Sequence, residues 1–289
     1  MFGECHAHIA MDGMNYAQAM ARHANIPDEN HIRTCFETYK KKGVAFVRDG
    51  GDAFGVSRAA KSIALDYGID YRTPVFAIHK AGHYGSIVGR SFGTMREYAA
   101  LVDEAQAQGA DFIKIMTTGI MDFNVFGRVT GTALEAAEVR EMVHVAHECG
   151  FAVMAHVNGK RAVLDAIEVG VDSIEHGNFI DGECVAALKQ SRTCFVPTAA
   201  VAHNLMGCGM FDESVLARIH DAALCVIAAA VEAGCLVALG SDAGAVGVLH
   251  GQGALDEYAC FKEAVADQTL LDERLGEGDA FIRATFRHE

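Results

Sequence analysis

Eight short runs rich in Val, Ile, Ala and Phe recur along this chain, and most are separated by a longer amphipathic stretch. They fall near Phe2–Ile9, Val44–Arg48, Val75–Ile78, Phe112–Thr117, Ala152–Val157, Ser173–His176, Cys194–Pro197 and Leu236–Gly240. Between them lie helical patterns such as Met95–Gln108, Ala133–Glu148 and Glu213–Ala233. Strand–helix alternation repeated eight times predicts an α/β fold, a single (β/α)8 TIM barrel with a parallel sheet. Strands in such a sheet are covered on both faces, so they read as apolar runs. Gly43, Gly109, Gly150, Gly170 and Gly234 each precede a strand by one to three residues, where a left-handed cap ends a helix. A barrel needs roughly 250 residues, so the 289 present are nearly used up. The expected organisation is one domain over 1–289, with the barrel core at about 2–265 and a helical tail at about 266–289. The excursion Asp12–Ile26 after the first strand is either a lid or an ordinary loop.

Composition narrows the partners. The formal charge is −14 and Lys and Arg are dispersed, which argues against nucleic acid and anionic membrane. A small-molecule substrate is expected, and assembly as a homo-oligomer is left open. Nine cysteines are scattered without a CxxC pair, as expected for free thiols in a reducing compartment. No signal-peptide pattern opens the chain, and no run of about 20 apolar residues reads as a membrane span. A cytoplasmic protein is the expectation.

The strand ends carry the chemistry. In Asp111-Phe-Ile-Lys-Ile-Met116, alternation turns Lys114 to the face opposite Ile113 and Ile115. Burying that ammonium in a barrel is costly without a partner or a task. His6-Ala-His8 sets two imidazoles on one face of the first strand, roughly 7 Å apart, and turns Cys5 away. His156 ends the fifth strand, His176 the sixth and Asp242 the eighth. Any one of these could be a hydrogen-bonded core side chain, and Lys114 could pair with an acidic neighbour. Their common placement on one rim points instead to a metal-ligand set of His6, His8, Lys114, His156, His176 and Asp242. A protonated lysine cannot ligate. Burial frees the amine, which can add carbon dioxide and become a carbamate with two oxygens. Such a group could bridge two ions about 3.5–4 Å apart.

This pattern resembles the amidohydrolase superfamily of metal-dependent hydrolases, from Glu4 to about Tyr258. The runs Met154-Ala-His-Val-Asn-Gly159, Asp172-Ser-Ile-Glu-His-Gly177 and Gly240-Ser-Asp-Ala-Gly244 are similar to its imidazolonepropionase-like, prolidase-like dipeptidase branch. The resemblance implies two divalent ions, zinc being expected, with a carbamate on Lys114. His6, His8, Lys114 and Asp242 would hold the more buried ion, and Lys114, His156 and His176 the more exposed one. It implies a bridging hydroxide that attacks an amide carbonyl, with Asp242 as proton shuttle. His83, in the loop after the third strand, would help hold the carbonyl oxygen or a substrate carboxylate. Tyr84, Arg128, His203 and His250, with His79, are further substrate-contact candidates, each also readable as an ordinary loop residue. Many relatives carry a small β-sandwich; this chain starts at strand one and its tail after Asp267 is short, so none is expected.

The expected function is hydrolysis of a dipeptide or N-acyl amino acid. The same ligand set also suits a cyclic amide, a lactone or a phosphotriester. A non-catalytic metal-binding barrel is a more distant alternative. The resemblance disfavours a mononuclear deaminase, because those relatives lack the lysine.

Overall fold

The computed structural model describes residues 2–288. Among the described residues there are nine short strands: β1 (Glu4–Ala7), β2 (Phe46–Asp49), β3 (Asp70–Arg72), β4 (Ala77–Lys80), β5 (Gly89–Phe92), β6 (Ile113–Met116), β7 (Val153–Val157), β8 (Ser173–His176) and β9 (Cys194–Val196). Every pairing between them is parallel. They form a three-stranded sheet, β1-β2-β3, and a six-stranded sheet, β5-β4-β6-β7-β8-β9. Eleven α-helices accompany them: α1 (Tyr16–His23), α2 (Glu29–Lys41), α3 (Val56–Ile63), α4 (Met95–Ala107), α5 (Ala136–Glu148), α6 (Lys160–Glu168), α7 (Gly182–Gln190), α8 (Ala200–Leu205), α9 (Glu213–Ala233), α10 (Gln252–Ala264) and α11 (Gln268–Thr285).

The eight apolar runs all lie in sheet-like backbone, with two departures from the sequence reading. The run near Val75–Ile78 becomes strand only from Ala77, in β4, and a further short strand that the sequence reading did not expect, β3, precedes it. Pro74 has no N–H to donate, and Val75 adopts a φ of 67°, so β3 stops before it and β4 starts after it. The other strand of that region, β5, carries Gly, Arg and Ser and left no apolar signal. The run near Leu236–Gly240 makes single bridges rather than a ladder. Phe195 N–H donates to Leu236 O at 2.9 Å on one side, and Cys5 N–H donates to Leu239 O at 2.8 Å on the other. This segment therefore lies between β9 of the larger sheet and β1 of the smaller one. Gly240 permits the approach: a Cβ there would come 2.6 Å from Val196 Cγ1 and 2.8 Å from His6 N.

Alternation sorts the strand side chains. Ile113 and Ile115 join the main core with Val139, Met142 and Val143 of α5, whereas Lys114 points the other way. Cys5, Phe46, Phe112, Met154, Cys194, Val196 and Ala238 converge from successive strands into a second apolar cluster, closed by Ile282 and Phe286 at the end of α11. Helix ends follow local chemistry. Thr94 and Glu97 form a reciprocal capping box on α4. Asp212 caps the first turn of α9, and Gly234 ends it at a φ of 72°. Among the described residues α9 is the one helix long and apolar enough to cross a membrane. It carries Arg218, Asp221 and Glu232, and packs against α7, α8 and α10. The segment Asp12–Ile26 contains α1, capped by the Asn15 side chain.

Candidate metal centre and cavity

The ends of the strands bring all six sequence-predicted ligands to one cavity. It encloses about 290 Å³ and is lined by His6, His8, Lys114, His156, His176 and Asp242. His6 lies within β1 and His8 one residue beyond it; Lys114, His156 and His176 lie in β6, β7 and β8. Asp242 is held beside β1 by its own N–H, which donates to His6 O at 2.8 Å. His176 and Asp242 both adopt left-handed backbone, at φ 68° and 61°. That is rare for residues other than glycine and costs about 1–3 kcal/mol each. Backbone bonds at these turns, Asp242 N–H to His6 O and Gly177 N–H to Val157 O at 3.1 Å, hold this conformation.

The imidazoles share one arrangement: each has one nitrogen engaged by a neighbour. His6 Nδ1 lies 2.6 Å from Glu175 Oε2. His8 Nδ1 lies 3.4 Å from Gly51 O. His156 Nε2 lies 3.0 Å from Gly119 O. His176 Nδ1 is 2.8 Å from Thr198 Oγ1. The other nitrogen of each ring is left for the centre. Acceptors behind an imidazole fix its tautomer and orientation in metal sites. His6 Nε2 and His8 Nε2 both approach Asp242 Oδ1 at 3.5 Å, and these three residues bring donor atoms within 4.8 Å of one another. The rings of His6 and His176 lie 4.9 Å apart, and those of His156 and His176 4.7 Å apart.

Burial sets the protonation states. Desolvation, reinforced by Lys114, lowers His8 and His156 to about 3. His6 and His176 are also held far below the usual imidazole range, first by burial and then by neighbouring positive groups. Four neutral rings with available lone pairs result. Burial likewise lowers Lys114 toward the free amine and raises Asp242. His6 Nε2 and Lys114 Nζ are buried without a hydrogen-bond partner. Orphaned polar atoms of this kind are costly; the donor set fits divalent ions, one of which would engage His6 Nε2, while Lys114 Nζ would carry the carbamate whose oxygens face them.

Sequence reading did not single out the residues behind these donors. Glu175 and Arg48 are fully buried; Arg48 Nη2 donates to Glu175 Oε1 at 2.9 Å, and Arg48 Nε donates to Cys5 O at 2.6 Å. A carboxylate and a guanidinium inside otherwise apolar strand runs were the available signal. Thr198 and the Gly119 carbonyl left none. The cavity wall is otherwise largely apolar, with Met116, Met121, Phe123, Leu205 and Phe211.

The weaker candidates divide. Tyr84 lines the cavity, its ring 5.2 Å from that of His156. His83, Arg128, His203 and His250 are not among the lining residues. His83 Nδ1 is 3.0 Å from Thr132 O. Arg128 is exposed and pairs with Asp122. His250 is buried and holds Met11 O at 2.8 Å. His203 packs against His220 between helices. His79 is buried, with Nδ1 3.0 Å from Lys80 O.

A parallel α/β scaffold with imidazoles, a lysine and a carboxylate at its strand ends defines a protein with a candidate metal centre of the hydrolase type. The chain belongs to the amidohydrolase family, which it matches over residues 4–275. It is 25% identical to ochratoxinase of Aspergillus niger over 275 residues, covering 83% of this chain and 56% of that protein. The chain thus spans about half the length of that curated relative. An uncharacterized protein of Mycobacterium tuberculosis is 31% identical over 130 residues, covering 43% of this chain and 35% of that protein. Among solved structures, a Xaa-Pro dipeptidase with bound methionine superposes at a TM-score of 0.75 and 22% identity, over 96% of this chain and 75% of that one. The A. niger ochratoxinase structure superposes at 0.73 and 21% identity, over 96% and 69%.

Proposed function

We propose that this chain is a binuclear zinc-dependent hydrolase of amide bonds, built on a closed (β/α)8 barrel. The observation that carries the reading is the shared geometry of the four imidazoles, each with one nitrogen engaged, around the unpartnered Nζ of Lys114. The segment at 236–239, hydrogen-bonded to both Phe195 and Cys5, supports closure. His6, His8 and Asp242 would hold one ion and His156 and His176 the other, with Lys114 between them as a carbamate. When bound, the ions would polarise the scissile carbonyl and lower the pKa of the attacking water toward neutral.

The chain's own groups supply the rest. Asp242 accepts the water proton on a carboxylate oxygen and delivers it to the leaving nitrogen. Glu175, held by Arg48, keeps His6 in one tautomer. The apolar wall seats an apolar group of the substrate and excludes water. Tyr84 and Asn158, both lining the cavity, orient it. An N-acyl amino acid or dipeptide with an apolar or aromatic portion fits this lining. The relatives named ochratoxinase and Xaa-Pro dipeptidase support an amide as the scissile bond. All nine cysteines are free, which fits a cytoplasmic setting.

The test is turnover by zinc-loaded protein across N-acyl amino acids and dipeptides with apolar, aromatic or charged portions. Lactones and phosphotriesters serve as controls. Amides with apolar portions should be cleaved at least ten-fold faster than charged ones. Cleavage of a control class alone would move the activity to that class.

A further inference from the structure

Away from the cavity, three helices bring a second donor set together. His203 of α8, His220 of α9 and Cys260 of α10 place one ligand atom each within 4.8 Å of one another. The His203 and His220 rings lie 5.0 Å apart. Nδ1 of each ring is buried and has no hydrogen-bond partner. On its other side, His220 Nε2 lies 3.7 Å from the carboxylate of Glu263, one turn beyond Cys260 on α10. That carboxylate favours the proton on Nε2 and leaves Nδ1 as a bare lone pair. A carboxylate behind an imidazole whose second nitrogen is free is the arrangement found behind metal-bound histidine. Cys260 is fully buried, with a thiol pushed up by burial, so it stays neutral until a cation draws off its proton.

We infer that His203, His220 and Cys260 form a second metal site, distinct from the catalytic centre, that takes one zinc-class divalent ion. Two nitrogens and a thiolate suit such an ion and leave one position for water. Tetrahedral ligands would sit roughly 3.3–3.6 Å apart, so donors within 4.8 Å need only a modest closing of side chains. Binding releases the Cys260 proton and ties α8 to α9 and α10. Val201 and Leu205 of the same short helix line the cavity, so the ion would brace one of its walls. A comparable group, His31, Cys35 and His250, lacks the decisive feature. His31 contacts Ile9 O at 2.8 Å and Arg22 at 3.0 Å; His250 contacts Met11 O at 2.8 Å and Tyr39 Oη at 3.1 Å. Both nitrogens of both rings are already used there.

Cobalt(II) distinguishes these sites, because the catalytic donors include no sulfur. Protein loaded with cobalt to full occupancy should show a thiolate-to-cobalt charge-transfer band with the intensity of one thiolate-bound ion per chain, beside the ions held by the catalytic donors. Cys260→Ser should abolish the band, and Cys35→Ser should leave it unchanged. His203→Ala, at a partly exposed ring, should weaken cobalt binding at this band at least ten-fold, which keeps the test alive if Cys260→Ser fails to fold. Absence of the band in wild-type protein overturns the assignment. So does a band that survives Cys260→Ser, or one of unchanged affinity in His203→Ala.

Discussion

His6 depends on a buried charge pair outside the ligand set. Its Nδ1 rests on Glu175, and Glu175 is compensated by Arg48 and by the Ser173 hydroxyl. Asp242 has the opposite situation: desolvation raises it, and the Lys114 ammonium opposes that shift. Asp242→Asn keeps an oxygen near His6 and His8 but removes the proton acceptor. We expect kcat to fall at least ~100-fold, the scale of general acid–base catalysis, while most metal remains bound. Steady-state kinetics with elemental analysis checks both, and near-wild-type turnover would remove Asp242 from proton transfer. Gly50 is a second residue-scale test. A Cβ there would lie 2.3 Å from His8 Cε1, so Gly50→Ala must displace the ring. The expected outcome is at least ten-fold weaker metal binding with the fold retained, read by a metal titration beside circular dichroism.

At the scale of elements, α8 is too short to be stable alone and is anchored from outside. Its first N–H groups, at Ala199 and Ala200, donate to the carboxylate of Glu257 on α10 at 3.0 and 2.6 Å. Burial nevertheless pushes the Glu257 carboxyl up to about 8 from an ordinary 4.5. A raised carboxyl keeps its proton in the folded protein while the unfolded chain has already lost it. Stability therefore falls as pH rises from about 4.5 to about 8, by at most ~1.4 kcal/mol per pH unit from this group. Glu257→Gln should flatten that fall, whatever its effect on absolute stability. Urea midpoints of both proteins at about pH 5 and pH 8 measure the difference, and identical slopes would show that Glu257 is already ionised in the fold.

For the whole molecule, ions held in the fold but not in the unfolded chain add RT ln(1 + [L]/Kd) to stability. This is ~2.7 kcal/mol at a hundred-fold excess over Kd. Chelation should lower the melting temperature by at least several degrees and abolish hydrolysis, and zinc should restore both. A melting temperature unmoved by chelation and by zinc, at full metal occupancy, would contradict a centre that forms only on folding.

Much of the site was legible because a parallel sheet imposes order along the chain. Strand ends fall on one rim, so His6, His8, Lys114, His156, His176 and Asp242 could be grouped from position alone. Alternation also separated Lys114 from Ile113 and Ile115, and the Glu213–Ala233 helix matches its amphipathic pattern residue for residue. Other features depend on neighbours distant in sequence. The pairing of Arg48 with Glu175 crosses 127 positions. The contact between His203 and His220 and the apolar cavity wall likewise come from separate elements. The break between β3 and β4 at Pro74 and Val75 and the left-handed turns at His176 and Asp242 depend on which hydrogen bonds the surrounding backbone can supply. Local pattern thus determined which residues face the rim. Tertiary packing decided which nitrogen each imidazole keeps free, because that choice belongs to an acceptor supplied by another part of the chain.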